Sequence, residues 1–500
     1  MFDRAQWFLA GMSIALSLQL SQPVAAAVPV GKVVQTAQTN SSDAAAKVFE
    51  EGLQLYQQGT VEAKRSAIAK FEQALKLYRE AGDRSGEANT LTWLGGIYSE
   101  LGEKQKALEY YSKSLPLLRA VGERSGEAAI LHNIGKVYSE LGEQQKALEY
   151  YSQSLPLRRA LGDRSGEATT LNNIGKVYLE LGEQQKALEY LSQSLPLDRA
   201  VGDRRGEATT LNNIGLLYSG LGEKQKAVEY YSQSLPLLRA LGDRPGEAST
   251  LNNIGKVYSE LGEKQKAVEY YSQSLPLYRA VGDRPGEALT LYNIGLVYSE
   301  LAEKQKALEY LSQSLPLFRT VGDRNGEAFT LYNIGLVYSE LGEQQKAREY
   351  FGQSLAFFQA VGDRSGEAAI LTWLGGIYSK LGEKQKALEY HNQSLPLFRA
   401  LGDRSGEAAT LNNIGGVYSD LGEQQKALEY YSQSLPLRRA LGDRGAEAAT
   451  LNNIGLVYSE LGEKQKALEY YSQSLPLFRA TGDRSGEAAT LNNIGLVYSG

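Results

Sequence analysis

The sequence predicts an all-α fold: a right-handed α-solenoid superhelix of tandem antiparallel helical hairpins. Three observations carry this. The tripeptide Gly-Asp-Arg recurs every 40 residues, from Gly82 through Gly162 and Gly202 to Gly482, and Gly122-Glu123-Arg124 fills the one altered slot. Each period holds two stretches with apolar residues at helical spacing. A glycine closes each stretch. Self-similarity at a fixed period marks a stack of units whose core grows in one dimension, so 500 residues need not divide into several separate cores.

The unit from Gly162 to Ala200 shows the local logic. Leu171, Ile174, Gly175 and Tyr178 fall on one helical face, which predicts a first helix from about Ser165 to Leu181. Gly182 ends it, because a helix terminus favours the left-handed backbone that glycine adopts freely. A second helix starts near Glu183, with Ala187, Leu188, Tyr190 and Leu191 as its inward stripe. Gly202 closes it, and Asp203 is the expected N-cap of the next. Pro245 and Pro285 occupy the Ser165 slot in later repeats, which places the first turn there. Gly95, Gly135 and Gly175 lie inside helices, where each costs about 0.5–1 kcal/mol relative to alanine. Close approach of the paired helix at Ala107, Ala147 and Ala187 is the expected return. Pro116 and Pro156 would each cost about 3 kcal/mol inside a helix. Leu117, Leu118 and Val121 nevertheless continue the pattern, so a lengthened second helix, kinked near Pro116, is expected.

The ends differ from the middle. Residues 1–27 read as an export signal: Arg4 precedes the apolar run Trp7 to Leu20, and Ala25-Ala26-Ala27 supplies small residues for cleavage. The run is shorter than the roughly 20 residues of a membrane span. Residues 28–43 read as a polar linker, and 44–81 as a degenerate capping hairpin in which Tyr56, Ala67, Phe71 and Ala74 match the pattern. Ten repeats follow over 82–481. Residues 482–500 supply a first helix alone, which would expose Leu491, Ile494 and Tyr498. A solenoid needs a polar terminal cap, so the expectation is a fragment or a partner element downstream.

Composition narrows the chemistry. With 53 Lys and Arg against 58 Asp and Glu, the net charge of −5 offers no basic stripe for nucleic acid. There are no cysteines and two histidines, His132 and His391, so thiolate chemistry is excluded and the usual zinc sites have no candidates. No phosphate-binding or calcium loop occurs. No catalytic constellation appears and no cofactor is expected. The Asp-Arg pair of each turn recurs too regularly for a single active site, and reads as an N-cap with a solvated ion pair. His132 is placed on a polar, exposed face. His391 replaces the Tyr111-type residue and is expected to be half-buried.

Leu91-x-x-Leu94-Gly95-x-x-Tyr98 followed by Ala107-x-x-x-Tyr111 resembles the tetratricopeptide repeat, with leucine at the usual tryptophan position. The resemblance covers about Ala44 to Gly500. The 40-residue period and the string LNNIG are similar to the longer repeats of kinesin light chain. They are more similar still to bacterial, especially cyanobacterial, arrays that precede a caspase-like CHAT domain. The family period is 34, and the family proline falls about three positions later than Pro116. The resemblance implies a protein-binding scaffold, or alternatively the recognition arm of a larger enzyme with a CHAT domain beyond Gly500. With the signal, it implies a secreted or periplasmic protein with a protein or peptide partner and no membrane span after processing.

The binding surface expected from the resemblance is the stripe of first-helix residues opposite the Leu91 face. That stripe is Thr169-Asn172-Lys176 in one repeat and Ser249-Asn252-Lys256 in another; it becomes Leu289-Tyr292-Leu296 and Phe329-Tyr332-Leu336. The expectation is a graded groove, basic at Lys136, Lys176 and Lys256 and apolar at its centre. The larger residues could equally fill space between neighbouring helices. Asn173, Asn213, Asn253, Asn293 and Asn333 form a row beside it. The resemblance to kinesin light chain implies that they hold a peptide backbone; hydrogen bonds between adjacent repeats are the alternative. Trp93 and Trp373 interrupt the row.

Overall fold

The computed structural model describes residues 39–499, and among them it contains 23 helices and no strand. The export signal and most of the polar linker lie outside the described residues. The helix that opens the capping hairpin starts at Thr39, four residues before the expected end of that linker. Its partner, Val61–Ala81, is capped by the Thr60 hydroxyl, which accepts from the Ala63 amide at 3.1 Å. Hairpins then follow with one geometry, represented by Arg164–Glu180 and Gln184–Val201. They form two compact units, one ending at Val281 and the other beginning at Gly282. Each unit is an α-solenoid stack in which every helix packs on its hairpin partner and on the next hairpin.

The inter-repeat turn satisfies its own polar groups. At the end of Gln184–Val201, Gly202 adopts φ 71°. Its amide donates to the Arg199 carbonyl at 3.2 Å, and the Asp203 amide donates to the Asp198 carbonyl at 2.9 Å. The Asp203 carboxylate then accepts from the Gly206 amide at 2.9 Å and caps the next helix. The ion pair of the turn is not made by the Asp-Arg dipeptide. Arg199 instead reaches Glu207 at 2.6 Å, and Arg119–Glu127 and Arg319–Glu327 repeat the arrangement. The turn inside each hairpin also needs a left-handed residue. Ala302 supplies it once, at φ 59°, a conformation that costs a side-chain-bearing residue about 1–2 kcal/mol.

The second helices run unbroken through their prolines. Lys104–Val121 contains Pro116 and Gln184–Val201 contains Pro196. Pro116 is exposed, as is Ser112 one turn earlier, so water can take the carbonyl that the proline leaves unbonded.

The interior glycines do make room, but not for the alanine alone. A Cβ built at Gly255 would sit 2.8 Å from the Tyr271 ring, and one at Gly175 2.6 Å from Leu191. The side chain four residues beyond each alanine therefore lies across the glycine. Tyr271 is 2% exposed and has nowhere to go. Gly255→Ala is expected to destabilise by about 1–2 kcal/mol, the overpacking cost net of the helix propensity gained. Circular dichroism melts of the variant check this, and an unchanged or raised midpoint would refute the packing account.

A feature that the sequence reading missed joins the two helices of each hairpin. Ser234 donates to the Ala208 carbonyl at 2.8 Å, and Ser394 to the Ala368 carbonyl at 2.8 Å. These serines are fully buried, so the hydroxyl fixes the register of the helices in a spot too tight for a larger residue. On the outer surface Tyr178 stacks on Tyr190 with centroids 5.5 Å apart, and Lys186 lies 5.1 Å from the Tyr178 ring.

Candidate binding face

The first helices of successive hairpins lie side by side in each unit, so the expected stripe forms a continuous face rather than isolated patches. Its residues are tied to one another across repeats. In the first unit Asn213 Nδ2 donates to Asn172 Oδ1 at 2.9 Å, and Thr210 donates to the same oxygen at 3.3 Å. His132 plays the part of Asn172 one repeat earlier. Its Nδ1 lies 3.0 Å from Thr170 Oγ1, and its Nε2 lies 3.2 Å from Asn173 Nδ2. The second unit repeats the pattern, with Thr450 and Asn453 on Asn412 Oδ1 at 3.2 and 3.5 Å. Within each unit a row of polar side chains thus links neighbouring first helices. Asn173, Asn213 and Asn333 are engaged in it; Asn253 and Asn293 hold the same register, half-buried.

His132 corrects the sequence reading. It is 8% exposed, because the face that looks polar on its own helix is covered by the next one. Burial, with the charges of Arg158 and Lys136, pushes its pKa down to about 3. His391 is buried more deeply than expected, at 1% exposure.

The lysines are partly compensated where they stand. Lys176 lies 3.8 Å from Glu180 and Lys256 3.9 Å from Glu260; Lys136 lies 4.0 Å from Glu140. Burial lowers the pKa of Lys136 and Lys256. The early basic stretch is therefore a row of i,i+4 ion pairs, and its net field is weaker than the lysines alone suggest.

The apolar centre divides into two kinds of residue. Tyr292 is 4% exposed. Its hydroxyl accepts from Asn333 Nδ2 at 3.0 Å, and its ring meets Phe318 edge-on with centroids 6.3 Å apart. Tyr332 is half-buried, accepts from the Trp373 indole N–H at 3.0 Å and packs on Phe351. Phe329 lies edge-on to Phe358 at 5.1 Å. The rings pack within their own hairpins, and the hydroxyls of Tyr292 and Tyr332 bond the following repeat. Leu289, Leu296 and Leu336 remain half-buried on the face. Leu216 and Leu456, in the slot of Leu296, are 43% and 39% exposed, and Trp373 is 37% exposed.

Two further departures escaped the sequence reading. The slot filled by Leu118, Leu238 and Phe318 carries Arg158, Asp198 and Arg438 in other repeats, all of them buried. Arg438 reaches the capping Asp443 at 3.0 Å, and Arg158 pairs with Asp163. Aligning the repeats on their glycines exposes these polar residues in an apolar column. Among the described residues no group of three or more acidic or histidine side chains could hold a metal, and no helix is long and apolar enough to cross a membrane.

Two solved structures share this architecture. One is the signal transduction ATPase with numerous domains (STAND) protein with a tetratricopeptide repeat sensor from Pyrococcus horikoshii. It matches 76% of this chain and 56% of its own length, with a TM-score of 0.58 and 16% identity. This chain thus spans little more than half of that protein. The other is the apo form of the quorum sensor NprR from B. thuringiensis, matched over 71% of this chain and 99% of its own length, with a TM-score of 0.52 and 17% identity. No curated protein matches the chain. The sequence model of the tetratricopeptide repeat matches residues 64–120, 86–160, 126–200, 166–240, 206–280, 246–320, 287–360, 366–440, 436–480 and 446–500. With almost every hairpin matched in sequence and built alike in three dimensions, the chain belongs to the tetratricopeptide repeat family.

Proposed function

We propose that the chain is a non-catalytic interaction scaffold that takes an extended segment or helix of another protein along its first-helix face. One observation carries the reading. The slot of Leu296 varies while its neighbours stay fixed: lysine at Lys136 and Lys176, leucine at Leu216 and Leu336, glycine at Gly376 and Gly416. The flanking Leu and Ile positions are buried in every full repeat. Packing would hold the slot constant, whereas contact with a partner leaves it free to differ along the face. Exposed apolar side chains in a row on a polar surface are the usual sign of such contact. The residues proposed for it in the second unit are Leu289, Leu296, Phe329 and Leu336; on the face of the first unit, Lys176 and Lys256 are the proposed polar contacts.

The test is a double substitution, Leu296→Asp with Leu336→Asp. We expect loss of the partner recovered from the exported fraction by the unaltered chain, with the melting midpoint moved by no more than a few degrees. Retention of the partner by the double variant refutes the face. We further propose, from residues 1–27, that this happens outside the cytoplasm.

A second reading keeps the scaffold and assigns it to a larger protein as the recognition arm, with a CHAT-like domain beyond Gly500. The P. horikoshii protein, where a tetratricopeptide sensor accompanies an ATPase, supports the general plan. The sequence that follows Gly500 in the gene tests it: a caspase-like region with a His and a Cys is the expected finding.

A further inference from the structure

His132 stands in a column filled by Thr92, Asn172, Asn212 and Asn252 in the other full repeats of the first unit. It is the one member of that column able to take up a proton near neutral pH. Its partners fix its tautomer. The Thr170 hydroxyl donates to the Gly166 carbonyl at 2.8 Å, so at 3.0 Å from the ring it accepts from Nδ1–H. Nε2 then carries the lone pair and accepts from Asn173 Nδ2 at 3.2 Å. Both partners belong to Arg164–Glu180, the first helix of the next hairpin. A neutral imidazole thus bonds Arg124–Glu140 to its neighbour through both ring nitrogens.

The surroundings suit a neutral ring and oppose a charged one. On its own helix, Lys136 stands one turn away. From Gln144–Leu161, the second helix of its hairpin, Tyr151 packs on it with centroids 5.3 Å apart, and Arg158 brings a buried cation. The carboxylate that bears on the ring is Asp163, the cap of the next helix, and Arg158 already holds it. Burial keeps the Tyr151 phenol protonated, so it supplies no counter-charge. A proton on Nε2 therefore removes the acceptor for Asn173 and adds a positive charge beside Arg158 and Lys136, where water hardly reaches. Turning the Asn173 amide over would restore a hydrogen bond but leave the charge.

We infer that His132 makes the junction between Arg124–Glu140 and Arg164–Glu180 an acid-sensitive seam, held by a neutral imidazole and released when Nε2 takes up a proton. In the opened junction the ring has its ordinary pKa of about 6.5. In the closed one burial, Arg158 and Lys136 push it down to about 3. The closed value is the lower, so protonation favours opening. The seam is at full strength above about pH 6.5 and weakens continuously as the pH falls towards about 3. At pH 5 the junction should open roughly thirtyfold more often than at pH 8. Lys176 of the proposed binding face stands on the helix that the seam releases, so acid should weaken capture of a partner by the first unit. That consequence rests on the proposed function; the seam itself does not.

The experiment is amide hydrogen exchange of the whole chain without a partner, at pH 8 to 4 and corrected for intrinsic rates, compared with His132→Asn. Asparagine is the residue of the next repeat, where Asn172 Oδ1 accepts from both Thr210 and Asn213, and the same two bonds should form to Thr170 and Asn173. Between pH 8 and pH 5, protection of residues 124–180 should fall about thirtyfold in the unaltered chain and little in His132→Asn. Arg158→Leu, which places there the residue type of Leu238, removes one facing cation and should give an intermediate loss. Asp198 and His391 are common to all three proteins and cancel from the comparison. Selective ¹⁵N labelling of the two histidines supplies a second measurement: the folded His132 ring should carry its proton on Nδ1 alone at pH 7 and at pH 5. Equal losses of protection in the unaltered chain and His132→Asn overturn the seam. So does a His132 ring that titrates near pH 6.5 while the junction stays closed. A partner kept at pH 5 by a chain whose seam opens overturns only the consequence for the face.

Discussion

Asp198→Leu is expected to stabilise the first unit at pH 7 by about 1–3 kcal/mol, the reverse of the usual effect of a core substitution. Asp198 is 2% exposed in a column that holds Leu118, Leu238 and Phe318 in other repeats. It accepts from Thr210 Oγ1 at 2.8 Å and Ser194 Oγ at 3.2 Å, but the charged groups that face it, Asp203 and Glu207, are acidic. Burial first, and those carboxylates second, push its pKa up to about 6 against the opposing hydrogen bonds. The unfolded value is about 3.9. A folded pKa above the unfolded one means that ionisation works against the fold. The penalty is full above about pH 6, shrinks as the pH falls through that value, and is gone below about pH 4. Leucine removes it and fits the slot, and Ser194 keeps the Ala168 carbonyl at 2.8 Å while Thr210 keeps Asn172. Because repeat arrays need not unfold in one step, the measurement is amide hydrogen exchange across residues 184–220 at pH 7 and pH 5. Slower exchange in the variant at pH 7, with a smaller difference at pH 5, is expected. The low pKa of His132 is common to both proteins and cancels from that difference. Faster exchange at pH 7 would show that the carboxylate is a net stabiliser and refute the account.

What could be read from the chain follows from where the information sits. The hairpins were legible because their determinants are local: Gly202 ends a helix and Asp203 caps the next within a few residues. The inward stripe was legible for the same reason, since Leu171, Ile174 and Gly175 are buried as their spacing implies. The face was harder. Asn213 and Asn172 are 41 positions apart, and periodicity along one helix does not reveal which polar residue of its neighbour comes within reach. His132 was misplaced on that account, because its own helix presents it outward and the adjacent one buries it. Asp198 and Arg158 were visible as polar residues in an apolar column. Whether such a residue is paired, as Arg158 is with Asp163, or unpaired by any cation, as Asp198 is, depends on side-chain reach that the sequence does not contain.

Tyr292→Asn should separate packing from recognition on the apolar part of the face. The sequence leaves Tyr292 either as part of the groove or as a filler between neighbouring helices. Its ring is 4% exposed and its hydroxyl holds Asn333, which favours the second. Truncating a buried aromatic typically costs about 3–5 kcal/mol. Asparagine returns little of this: it is too short to meet Phe318, and Asn333 keeps only the Phe329 carbonyl at 2.8 Å. Leu336→Asn removes a side chain that is half in solvent, and about 1 kcal/mol or less is expected from the smaller area involved. Thermal or denaturant unfolding of the two variants gives the stabilities, and the partner recovered by each gives the recognition. If Leu336→Asn loses the partner at nearly full stability while Tyr292→Asn loses stability first, the aromatic residues are the frame and the leucines the contact. Equal, small stability losses would mean that Tyr292 is not part of the frame, and the anchor role would return to it. The amide row makes the distinction physical: Tyr292, like Asn172 and His132, accepts from the following repeat, whereas the slot of Leu336 is free to carry lysine, leucine or glycine because its end faces outward.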